Sequence, residues 1–136
     1  MTFEEVTACL PNGLHDAELQ RFEMDYARRR LQFDLAVWIG DMDDGQIREA
    51  YRPARLVFDG VACFVVEPPN GVRLVLNGEP VRIDAGPGQP RQSSTRLPES
   101  PAENVVTWIY LEHTNAFLLF SAGDASLAWT GPAETR

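Results

Sequence analysis

The sequence predicts a mainly β fold: an antiparallel meander of about nine strands, closing into a barrel or splitting into a sandwich, behind one short N-terminal helix. Three observations carry this. Apolar and polar residues alternate with a period of two through most of the chain, turn signals containing Gly, Asn or Asp recur between the alternating runs, and helical spacing is confined to residues 1–10.

Thr2 followed by Glu5 makes a capping box, and Phe3, Val6 and Leu10 recur at near-helical spacing until Pro11 stops the pattern. After the Pro11-Asn12-Gly13 turn, Phe22, Met24 and Tyr26 alternate with Arg21, Glu23 and Asp25. Leu31, Phe33, Leu35, Val37 and Ile39 then alternate with Gln32, Asp34, Ala36 and Trp38. These read as two antiparallel strands joined through Ala27 to Arg30. Strands at Ala54–Phe58 and Val61–Glu67 flank Asp59-Gly60, which predicts a tight hairpin because both residues tolerate positive φ. A further hairpin is expected at Asn77-Gly78, between Val72–Leu76 and Val81–Asp84. Val105–Glu112, Ala116–Ala122 and Ser126–Thr130 complete the series, separated by Thr114-Asn115 and Gly123-Asp124. The expected interior draws on Phe22, Met24, Leu31, Phe33, Leu35, Val37, Leu56, Phe58, Phe64, Ile109, Leu111, Leu118 and Phe120.

The length of 136 residues suits a single domain over 1–136, long enough to bury a core without a staple. Within it, residues 85–104 carry four prolines and no period. Such a stretch reads as a mobile loop, dispensable for folding and the first site of proteolysis. Neither side of it has enough strands to stand alone, so it is not a domain linker.

Twenty acids against twelve bases give a formal net charge of −8, and all the bases are arginine. A field of that sign repels phosphate backbones, so nucleic acid and anionic membranes are poor partners, while basic proteins, cations and neutral ligands remain open. Cys9 and Cys63 lack a C-x-x-C spacing and read as reduced, buried thiols. The acidic amino terminus is unlike a secretory signal, and the longest apolar run, Val61–Val66, is far too short to span a bilayer. A cytoplasmic location is the resulting expectation.

Motifs for familiar chemistry fail one by one. The acidic segment Gly40–Gly45 places Gly45 and Gln46 where a calcium loop needs an oxygen ligand and a glycine, so it reads as a solvated strand connection. His15 and Asp16 at the mouth of the first strand would point to opposite faces and so not meet. His113 lies in a turn, and no spacing supports a metal site. Neither cysteine carries a nucleophile signature, there is no G-x-S-x-G, and Gly86-Pro87-Gly88 opens no helix that could cradle phosphate. No catalytic residue, metal or cofactor is implied.

Binding residues are easier to nominate. Asp41, Asp43 and Asp44 concentrate negative charge, and His15 and Asp16 join them as binding candidates. Trp38 falls on the polar face of its strand, and Trp108 shares a face with Val106, Tyr110 and Glu112, where an aromatic can line a cleft or anchor an interface.

Leu14-His15-Asp16-Ala17-Glu18-Leu19, leading into an alternating strand, a turn and a second strand through Trp38, resembles the start of small bacterial immunity-type domains. In those, an H-D-A-like tripeptide opens the first strand. The resemblance spans about the first third of the chain and implies a binding protein without catalytic residues, whose surface blocks a partner. Two functions follow: a non-enzymatic protein-binding module acting through its acids, or a small-ligand-binding β barrel using an aromatic face. A deep apolar pocket holding Trp38 and Trp108 would favour the second, and a filled interior with an exposed acidic patch the first.

Overall fold

The computed structural model describes the backbone of residues 1–43, 47–71 and 76–136, and the side chains of all of these except 41–43, 47 and 48. Thr2 caps α1 (Phe3–Ala8) as expected: its hydroxyl accepts from the Glu5 amide, and the Glu5 carboxylate accepts from the Thr2 amide. Phe3 and Val6 point inward, and the Phe3 ring lies 5.9 Å from that of Phe58.

Nine strands follow among the described residues: β1 (Glu18–Asp25), β2 (Arg30–Asp43), β3 (Ile47–Asp59), β4 (Cys63–Val66), β5 (Val81–Pro87), β6 (Val105–Leu111), β7 (Ala116–Ala122), β8 (Asp124–Trp129) and β9 (Glu134–Thr135). They form one antiparallel sheet in the order β4-β7-β6-β5-β1-β2-β3-β8, with β9 added to β3. Among the described residues the path does not close, so the fold is an open sheet folded like a sandwich and not a barrel. β5 belongs to both halves, since its first residues pair with β1 and the rest with β6. The halves meet where Phe33 and Phe58 contact Phe120, with ring centroids 6.0 and 4.6 Å apart. All three rings are buried, and the space between the layers is filled by side chains.

In β1, Leu19 pairs with Leu35 but Arg21 pairs with Asp34, so Gln20 is an extra residue. Leu19 and Phe22 are three apart and would point to opposite faces of a regular strand; the bulge puts both opposite apolar partners on β2. Phe22 nonetheless differs from its expected interior place. At 39% exposed it lies on the border of the core, against Phe33 and Phe64.

The longest departures from the expected elements are in the second hairpin. β2 continues to Asp43 and β3 starts at Ile47, so Gly40–Asp43, expected in a connecting loop, are paired strand residues. β3, expected from Ala54, begins at Ile47 and carries Pro53 within it. Asp59-Gly60 does not close a β3–β4 hairpin. Gly60 has φ +67, the Val61 amide donates to the Arg29 carbonyl, and β4 pairs with β7 instead. This corner carries the chain from one layer to the other, which gives β7 a partner on each side. Val72–Val75 of the expected third hairpin lie outside the described residues. Both thiols are free, and Cys9 is exposed where a buried one was expected. No helix among the described residues is long and apolar enough to cross a membrane.

Candidate functional groove

The outer faces of β5, β6 and β7 are set in two cross-strand rows. Gly86, Trp108 and Leu119 form one row, and Asp84, Tyr110 and Phe117 the other. Because strand side chains alternate, these face away from the core lined by Ile83, Ile109, Leu118 and Phe120. Gly86 decides the arrangement. A Cβ there would fall 2.5 Å from Trp108 Cζ2 and 2.8 Å from Cε2, so only glycine lets the indole lie across the β5 backbone. Phe117 meets that indole edge-on, with centroids 5.7 Å apart, and Tyr110 packs on Phe117 at 5.3 Å.

The rings floor a groove of about 440 Å³, within the range of small-molecule sites. Its rim is polar: Glu67, Asp84, Asn70, Gln92 and Asn115. The Tyr110 hydroxyl donates to Asn115 Oδ1 (2.6 Å), and Asn115 Nδ2 donates to the Asn70 carbonyl (3.1 Å), so one wall is tied together. The other wall is the segment after β5. Its Ser93 and Thr95 hydroxyls both donate to Glu67 Oε2, the latter at 2.6 Å, while Glu67 Oε1 accepts from the Phe117 amide at 2.9 Å. Burial disfavours the Glu67 charge, but these three donors outweigh it and hold the carboxyl below its ordinary value. Gln89 Nε2 donates to the Thr95 carbonyl, which folds the segment on itself. Of residues 85–104, the first three belong to β5, and Pro90 and Ser93 are buried.

The residues nominated from sequence fare differently. Trp108 lines the groove. Trp38 does not: it is half-buried on β2, paired with Tyr51, away from the residues that line the groove. Tyr51 is buried there with the Arg136 guanidinium over its ring, and burial raises its phenol above the ordinary value. The two tryptophans therefore do not share a face of one pocket. Asp41 and Asp43 are strand residues opposite Glu49 and Ile47, their side chains and all of Asp44 lying outside the described residues. The predicted acidic patch thus lies outside the described side chains.

His15 and Asp16 were expected not to meet, yet His15 Nε2 is 3.6 Å from Asp16 Oδ2. They lie in a turn before β1, with Asp16 at φ +62, so the alternation of a strand does not apply. His15 Nδ1 also lies 3.4 Å from Asp84 Oδ2, which joins this pair to the groove's edge. Among the described residues no cluster of His, Cys, Asp or Glu is arranged to hold a metal ion. A second depression, about 450 Å³, lies along Glu79–Arg82 and His113, and its described lining includes no Phe, Tyr or Trp.

No family model, curated protein or solved structure matches the chain. The likeness of Leu14–Leu19 to immunity-type domains therefore rests on that segment alone.

Proposed function

We propose that this protein is a binding module whose ligand is a small molecule held on the outer face of β5, β6 and β7, with Trp108 as its anchor. The seating of the indole across Gly86 carries this reading. A tryptophan kept half-exposed on a bare stretch of backbone, with its neighbours fixed by hydrogen bonds, is a surface whose ordering cost is met before a ligand arrives. The filled interior argues against a ligand inside the fold, so the aromatic-face reading moves from the lumen of a barrel to the outside of a sheet.

Amide and indole NMR spectra of labelled protein test this with glucose, phenol, acetate and tetramethylammonium as probes. Shifts concentrated at Gly86, Trp108 and Tyr110 with at least one probe support the groove. Shifts centred on Trp38 and Tyr51, or none with any probe, refute it.

A further inference from the structure

Resting on that reading, we infer that the groove takes a neutral saccharide, with one sugar ring stacked on Trp108 and its hydroxyls bonded to Asp84 and the carboxamides of the rim. Charge excludes the first competitor. The charged residues lining the groove are Glu67 and Asp84, both acids, and no basic side chain described there could pair with a phosphate or carboxylate.

A cation is the second competitor, and the geometry disfavours it. An aromatic cage surrounds a cation with ring faces, but Phe117 is only 8% exposed and is covered by its contacts with Trp108 and Tyr110. That leaves an open platform instead of a box. Of the two acids, Glu67 is committed to three hydrogen bonds within the chain, while Asp84, its side chain 41% exposed, keeps lone pairs for a hydroxyl beside its contacts with the Ala85 amide and His15.

A sugar ring fits what remains. Its face of C–H groups is weakly positive and complements the negative face of an indole. Its hydroxyls both donate and accept, as do the carboxamides of Asn70 and Gln92, while Asp84 supplies an acceptor. At about 440 Å³ the groove has room for more than one ring, and its length runs across β5, β6 and β7 instead of down into the core.

The test is an array of neutral and acidic oligosaccharides, followed by titration of the best neutral one, in parallel with tetramethylammonium and digalacturonate. A neutral oligosaccharide that shifts the Trp108 indole resonance is expected. Its affinity should fall at least tenfold in Trp108→Ala and in Gly86→Ala, which keeps every lining side chain but displaces the indole, and less in Trp108→Phe. Retained dispersion in the variants' NMR spectra separates lost binding from lost folding. Binding in the groove by tetramethylammonium or digalacturonate alone overturns the saccharide assignment while leaving the groove as a binding site. No groove shift with any oligosaccharide or ion overturns both.

Discussion

Replacing Glu67 with alanine removes an acceptor that holds two other pieces of chain: β7 at the Phe117 amide, and the segment after β5 at Ser93 and Thr95. Hydrogen bonds to a charged group contribute about 1.5–3 kcal/mol each, but the two hydroxyls share one oxygen and regain water when the segment lifts, so the three do not sum. A loss of about 2–4 kcal/mol for detaching the segment is the reasonable figure. That raises the detached population roughly 30- to 1,000-fold, which proteolysis reads directly when detachment is fast compared with cleavage. Trypsin is suited to the assay because Arg91 and Arg96 flank Ser93 and Thr95, both are exposed, and the chain has no lysine. Glu67→Gln should have a smaller effect, since its carbonyl still accepts from Phe117. The pH dependence has a definite sign. Folding lowers the Glu67 pKa, so its contribution is complete above the unfolded value near 4.5 and declines as pH falls from there through the lower folded value. Proteolysis within residues 88–104 should therefore accelerate over that acid window in the wild type and less in Glu67→Gln, followed with an acid-active protease alongside trypsin at neutral pH. Equal cleavage rates in wild type and Glu67→Ala at neutral pH would refute the anchoring role.

Phe33 is fully buried and touches Phe22, Phe58 and Phe120, so Phe33→Ala should lose about 3–5 kcal/mol in urea unfolding; a loss under about half a kilocalorie would contradict the core assignment. Gly86→Ala must push the indole aside and should cost about 1–3 kcal/mol, with a shift in tryptophan emission that the same change at exposed Gly71 does not produce. Changing Asp41, Asp43 and Asp44 together to asparagine should leave saccharide affinity within about twofold. A salt-dependent protein partner lost from this triple variant in a pull-down would instead support the acidic-patch mode of binding.

Much of the fold was legible because its signals are local. The Thr2–Glu5 box, the alternation of Leu31 to Val37 and the apolar run of β7 each lie within one element, and each appears where the pattern put it. What escaped depends on partners far along the chain. The Asp59-Gly60 corner looks like any hairpin until Phe64 needs a place opposite Phe120, which only the second layer provides. Gln20 gives no sign of a bulge, because the extra residue is required by Leu35 and Phe33 on another strand. Pro53 interrupts residues 47–59 as a local pattern, although β3 is held on both sides by β2 and β8.

The groove shows the same division in a sharper form. Trp108 could be singled out by parity, since its neighbours Thr107 and Ile109 face the core. Its function as a platform could not, because that depends on Gly86 being the residue opposite, and a lone glycine before Pro87 reads as a turn. Glu67 was equally silent: one carboxylate at the end of an apolar run, its meaning supplied by Ser93, Thr95 and Phe117. The proline-rich segment was judged by its lack of period, which is a sound guide to whether it can form a strand but says nothing of whether hydroxyls within it have an acceptor. A segment that cannot pair in the sheet is free to lie across it, and tying it down through one ionisable group makes a wall whose attachment responds to pH. If the groove binds as proposed, the residues that decide affinity are thus of two kinds: Trp108 and Gly86, which form the platform, and Glu67, which touches the ligand's surroundings chiefly by fixing the wall that carries Gln92. The two kinds separate experimentally, because Gly86→Ala should weaken binding equally at pH 7 and pH 4, whereas Glu67→Gln should remove any acid-induced weakening that the wild type displays.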